Sequence, residues 1–246
     1  MHIPDGFLPP SVAIAGYAVT GGVTWYSLCQ INREKNSQEK IPKASLLTAA
    51  FFLASLIHIP VPPGSIHLVL NGLMGIVLGY YAFPAILIGL FFQAVMFQHG
   101  GLSTLGVNAA MIGIPALLAY HIFGLRNRLG DNSARDRKDK QGEQRKQGDR
   151  GRENRADPSS IGIRDRQQIW TGIFAFLAGA GALGISASIF AVAIVTNIPP
   201  DLDPQTERTA IYAALIGYGI QALIEGTFTF MLVSFLERVK PELLEG

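Results

Sequence analysis

The second residue is a histidine, and the opening run Met1-His2-Ile3-Pro4-Asp5-Gly6 puts a free α-amine and an imidazole one peptide bond apart. With the amine neutral and the His2 backbone amide deprotonated, amine, amide nitrogen and imidazole Nδ1 close two fused chelate rings in one plane. A single in-plane position stays vacant. Square-planar nitrogen ligation suits Ni(II) or Cu(II), whereas zinc prefers a closed tetrahedral shell. A second histidine in the vacant position would complete a nickel-like site; without one, His2 is an incidental surface residue. A bulky second residue leaves the initiator methionine in place, so the ligating amine is expected to be that of Met1. An α-amine, with a reference pKa of about 7.7–8.0 against about 10.4 for lysine, gives up its proton readily. Capture should weaken as pH falls, because protons and metal compete for the same nitrogens.

The chain has five histidines, His2, His58, His67, His99 and His121. Which of them can meet depends on the elements that carry them. Hydrophobic residues make up 49% of the 246 and charged ones 15%, with a mean hydropathy of +0.29. That is more apolar and less charged than an average soluble domain and points to an integral membrane protein. A bilayer core about 30 Å thick takes roughly 17–25 apolar helical residues per span. Runs of that kind fall near residues 11–31, 44–60, 67–82, 83–98, 104–125, 168–197 and 208–237, which predicts an all-α bundle of about seven transmembrane helices. The third and fourth runs are short and separated only around Tyr81-Ala82-Phe83-Pro84, as a tight helical hairpin or as partly re-entrant segments. No secretory signal peptide is expected, since residues 1–10 lack a basic start and Pro9-Pro10 interrupts any early apolar run.

Orientation follows from charge, because short loops rich in Lys and Arg stay cytoplasmic. Of twenty Lys and Arg, thirteen lie between Arg126 and Arg166, and Arg33, Lys35, Lys40 and Lys43 add four more. Asn197–Glu207 carries Asp201, Asp203 and Glu207 and no basic residue. Seven spans with both basic segments inside put the N-terminus outside and the C-terminus in the cytoplasm. Residues 1–125 then form the N-terminal segment and five helices, 126–167 a charged cytoplasmic linker, and 168–246 the last two helices of a single membrane domain. The linker has almost no apolar side chains and is expected to be disordered. Its eight acidic residues interleave with the basic ones, which favours a solvated linker over one that binds nucleic acid or anionic lipid. The lone Cys29 excludes a disulfide framework and a thiolate cluster.

By this topology His121 falls near the cytoplasmic face, while His58, His67 and His99 fall at outer ends and are available to His2. Between His58 and His67 lies a Pro- and Gly-rich connection, Ile59 to Ile66, too irregular for lipid contact and so expected to line a cavity. Residues 93–108 concentrate Gln93, His99, Asn108 and several glycines at membrane depth. Such groups either orient metal ligands or join helices by hydrogen bonds. Glu225 lies inside the last span, and an intramembrane carboxylate is a functional candidate by default. Small residues in the first span, Gly16, Ala18, Gly21 and Gly22, would permit close helix approach.

Three stretches carry a family resemblance: Met1-His2-Ile3-Pro4-Asp5-Gly6-Phe7-Leu8, Gly64-Ser65-Ile66-His67 and Gln98-His99-Gly100-Gly101-Leu102-Ser103-Thr104-Leu105-Gly106-Val107-Asn108. They resemble the substrate-specificity subunits of energy-coupling factor transporters for nickel and cobalt, the NikM and CbiM families, and the surroundings of Glu225-Gly226-Thr227 are similar too. The resemblance implies a seven-helix fold whose N-terminus folds back into the protein and binds one divalent ion. It implies four ligands: the Met1 amine, the amide and imidazole nitrogens of His2, and the His67 imidazole. Asp5, Ser65, Gln93, His99 and Asn108 are candidates for the surrounding groups. Asp5 either offsets the net charge of the bound ion or caps a turn. Only Ser65 precedes Ile66, where the family often has a Ser- or Thr-rich run.

The implied cargo is Ni(II) with Co(II) as near rival, with no resident cofactor and no catalytic residue. The chain lacks a Gly-x-x-x-x-Gly-Lys-[Ser/Thr] phosphate loop, so ATP hydrolysis must come from elsewhere. By resemblance the partners are two cytoplasmic ATPase subunits, a transmembrane coupling subunit and a small accessory membrane protein, in the cytoplasmic membrane of a bacterium or archaeon. The competing expectation is an intramembrane hydrolase built from His58, His67, His99 and Glu225, although no His-Glu-x-x-His pair is present.

Overall fold

The computed structural model describes residues 2–34, 37–57, 59–61, 64–147, 159–199 and 203–244. Among these the chain forms seven α-helices: α1 Pro10–Ile31, α2 Ile41–Leu56, α3 Asn71–Leu78, α4 Ala82–Phe97, α5 Leu105–Gln147, α6 Ser159–Thr196 and α7 Pro204–Val239. A small antiparallel hairpin, β1 Ile59–Val61 and β2 Gly64–Ile66, separates α2 from α3 with Pro60 opposite Ser65. Prolines mark the helix starts: Pro10 opens α1 and Pro204 opens α7, where a fixed φ and a missing N–H cost nothing. Asp203 completes the start of α7 by accepting the Thr206 N–H at 2.9 Å.

Large apolar side chains, among them Trp25, Leu46, Ile216 and Met231, are exposed on outer helix faces. Water would not tolerate such a surface, and lipid does. Five stretches are long and apolar enough to cross a membrane: Pro10–Ile31, Asn71–Phe97, Leu105–Arg126, Gln168–Thr196 and Pro204–Val239. The third and fourth predicted runs thus fall within one stretch of 27 residues. Their separation is a backbone break at Gly79, whose φ of +58° suits glycine. α3 itself has eight residues, about 12 Å at 1.5 Å per residue, too short to span.

All eight residues of α3 are buried. It packs on α5 and α6 because glycines let backbones meet. A Cβ on Gly72 would stand 2.6 Å from Gly179 Cα of α6, and one on Gly75 would stand 2.8 Å from the Ala116 carbonyl carbon of α5. Around this centre Phe51, Phe83, Leu73, Met74, Ile86 and Met111 are almost completely enclosed. Of the small residues expected to bring α1 against a neighbour, Gly16 does so, facing Val107 at the start of α5; Gly21 and Gly22 face open space. Thr20 secures the same crossing by donating to the Gly106 carbonyl at 2.6 Å.

The charged region departs from the predicted disorder on both described flanks. α5 continues as helix to Gln147 and α6 begins at Ser159, while 148–158 lie outside the described residues. Arg, Lys, Gln and Glu are good helix formers, and an established transmembrane helix supplies the nucleus that a free segment would lack.

Candidate metal site

Residues 2–8 fold back from the start of α1 onto the start of α5. Ile3 is fully buried, and Asn108 brackets it: the Ile3 N–H donates to Asn108 Oδ1 at 2.9 Å, and Asn108 Nδ2 donates to the Ile3 carbonyl at 3.0 Å. Thr104 donates a second hydrogen bond to that carbonyl at 2.6 Å. Two residues on, the Asp5 carboxylate accepts from the Ser103 N–H at 2.8 Å, the Ser103 hydroxyl at 2.5 Å and the Leu102 N–H at 3.2 Å. These bonds, led by that from the Ser103 hydroxyl, hold the Asp5 carboxyl below its ordinary range. Asp5 caps the turn at Leu102 and Ser103.

His99 reaches the same place from the end of α4. That helix stops where Gln98 turns left-handed at φ +52°, and the N–H groups of Gln98 and His99 both return to the Gln93 carbonyl. Gly100 follows at φ +85°, and Gly101 lies so close to Asp5 that any side chain there would collide with it. The two glycines after His99 therefore turn the chain and let the N-terminal segment lie against it.

His67 arrives on the strand between β2 and α3 and is buried. Its Nδ1 is 3.4 Å from the Leu68 carbonyl oxygen, a long contact that suits the tautomer presenting Nε2. The three imidazoles of His2, His67 and His99 converge, each offering a nitrogen within 4.8 Å of the others. The His2 and His67 ring centroids are 5.4 Å apart at 26°, and His99 meets His2 edge-on at 4.4 Å. Two nitrogens on one ion, each about 2.0–2.1 Å from it, stand at most about 4.2 Å apart. Small rotations would therefore close this set on a metal. Burial, then the charge of the N-terminal amine, then those of His99 and His67, depresses the His2 pKa well below that of a free imidazole. Among the described residues both His2 ring nitrogens are buried with the Gln93 side chain as their polar neighbour and no well-formed hydrogen bond, a state that a bound ion would satisfy.

The remaining predicted residues have defined positions. Gln93 is fully buried, with Nε2 donating to Ser55 Oγ at 2.7 Å and its side chain against the His2 imidazole. Ser65 sits on β2 with only its backbone described, and Met1 and His58 lie outside the described residues. His121 meets Tyr80 edge-on and lies tilted against Tyr120, several helical turns along α5 from Asn108. Glu225 does not face the imidazoles as an acid or base: its carboxylate accepts the N–H groups of Val69 and Leu70. The hydrolase constellation is therefore not assembled among the described residues. Sequence reasoning missed Thr104 and Gln221. The signal for Gln221 was available, since it stands one helical turn from Glu225 at the end of the otherwise apolar stretch 210–224.

The family model for the cobalt uptake substrate-specific transmembrane region, CbiM, matches residues 2–143 and 156–243. The chain belongs to the CbiM family. Relatives of this CbiM-family chain include the fused nickel transport protein NikMN of Rhodobacter capsulatus, 26% identical over 260 residues that cover 99% of this chain and 64% of that one. A provisionally named metal transport protein of Haemophilus influenzae is 40% identical over 131 residues, 52% of this chain and 59% of the relative. The chain thus spans less than two thirds of either relative. A solved transition metal transporter shares the fold with a TM-score of 0.71 at 17% identity, covering 97% of this chain and 93% of that one.

Proposed function

We propose that this CbiM-family chain is the substrate-binding membrane subunit of an energy-coupling factor uptake transporter whose cargo is Ni(II), with Co(II) as the near rival. The donors are the Met1 amine, the His2 amide and imidazole and the His67 imidazole, with His99 against them. The observation that carries this reading is the convergence of three imidazoles at the end of a pinned N-terminal segment. Nitrogen donors with neither thiolate nor carboxylate favour late first-row divalent ions over Mg(II), Ca(II) and Mn(II). Selection between Ni(II) and Cu(II) then falls to metal availability, because Cu(II) binds such donors more tightly. The N-terminus lies outside, where a scarce ion arrives, and the C-terminus inside, where two ATPase subunits, a coupling subunit and a small accessory membrane protein supply energy.

The decisive experiment is a calorimetric titration of Ni(II) and of Co(II) into protein with a free N-terminus, beside protein carrying an N-terminal extension. Strong binding by the free protein and loss of it in the extended one is expected. An extended protein that binds Ni(II) as well as the free one defeats the chelate. A Co(II) affinity above that for Ni(II) would reverse the order of cargo.

A further inference from the structure

His67 belongs to no helix, so something must hold the strand that carries it. That strand runs from His67 to Asn71 through Leu70, which adopts a left-handed φ of +54° although it is not glycine. Such a conformation carries strain and persists where the surroundings over-determine it. Here it lets two successive N–H groups, of Val69 and Leu70, point at the same Glu225 carboxylate, the arrangement of a backbone anion nest. Glu225 is 1% exposed, and among the described residues no Lys or Arg pairs with it. Gln221, one turn earlier on α7, donates from Nε2 to the His67 carbonyl itself. On the far side Asn71 donates to Ser186 Oγ of α6 at 2.9 Å, which closes the strand off from the other direction.

We propose that Gln221 and Glu225 are positioning residues for metal capture: from one face of α7 they hold the backbone of His67, Val69 and Leu70, and so fix where the His67 imidazole stands. This assignment rests on the reading of His67 as a ligand. It makes α7 the helix to which that ligand is tied, while His2 is tied to α5.

The test compares wild type, H67A, Q221A, E225Q, E225D and E225A, all with free N-termini, by Ni(II) affinity and by the visible ligand-field band of the bound ion. Glu225→Gln keeps the shape and one accepting oxygen but removes the charge and turns Oε2, which also accepts from the Leu70 N–H, into an amide donor facing that N–H. Loss of a group that orients a metal ligand costs about 10–100-fold in affinity. A weakening of about tenfold in E225Q and Q221A is expected, with a displaced band and with E225D lying nearer wild type. A purely structural role would lower the unfolding temperature and leave the band where it is, and that result overturns the proposal. So does wild-type affinity in both Q221A and E225Q, the two variants that carry the test should E225A fail to fold. Failure of wild type to bind, or retention of binding by H67A, instead removes the capture reading on which the proposal stands.

Discussion

The two segments that bring His2 and His67 together are held in different ways. The N-terminal segment is fastened to α5 by neutral amide and hydroxyl groups around buried Ile3 and by the exposed Asp5 cap at its rim. The His67 strand is fastened to α7 by a carboxylate and an amide enclosed in the bundle. The Asp5 cap exchanges its hydrogen bonds with water at little cost, whereas the Ile3 bracket and the Glu225 hold both leave their donors stranded when broken. The two holders therefore differ in charge and in their rim: the first is neutral with an exposed carboxylate at its edge, and the second carries its carboxylate inside the bundle.

The largest test of that contrast removes the donors. His67→Ala is expected to abolish measurable Ni(II) binding with the N-terminal segment still docked, and His2→Ala to abolish it with the His67 strand unmoved. Calorimetry alongside amide hydrogen exchange separates binding from docking. Residual wild-type affinity in either variant would mean that the other histidines suffice. Asn108→Ala comes next. It strands the buried Ile3 N–H, a cost of about 1–3 kcal/mol, and should weaken Ni(II) capture by about 5–150-fold while residues 2–8 exchange faster. Unchanged exchange would show that Thr104 alone holds the segment.

A smaller effect is expected from Gly101→Ala, which places a methyl group against Asp5 and should loosen the cap more than the Ile3 bracket. Exchange at Leu102 and Ser103 faster than at Ile3 is the signature. Acid gives the smallest effect. The folded pKa of Asp5 lies below its unfolded value, so its contribution is complete at pH above the unfolded carboxylate range and is lost as pH falls through the depressed value. Exchange of residues 2–8, corrected for its intrinsic pH dependence, should be flat from neutral to mildly acidic pH and rise only below the ordinary aspartate range. A rise near neutral pH would point to another group.

Much of the site was legible because its chemistry is local. His2 stands out by its position, and it does meet His67 and His99, while His99-Gly100-Gly101 concentrates polarity and backbone freedom where an apolar helix should not. What remained hidden was direction. That Asp5 caps a turn shows only in the arrangement of Leu102 and Ser103, about a hundred residues on. α3 was hidden for a different reason. A helix apolar on every face reads alike whether lipid or protein surrounds it, so Asn71–Leu78 resembles part of a span until the glycine contacts at Gly72 and Gly75 place it at the centre. Glu225 stood out in α7, but its partners are backbone groups about 155 residues earlier in the chain, which no local pattern encodes.

The enclosure of α3 also bears on how the chain is made. A segment of eight residues cannot partition into a bilayer as an independent span. Its surroundings include α5 and α6, which are synthesised after it. Until they arrive, the stretch from the hairpin to Gly79 has no finished place to go. Biogenesis must therefore end with these residues being enfolded by helices that left the ribosome later, so a bulky substitution at Gly72 or Gly75 should stall assembly of the bundle before any question of metal arises.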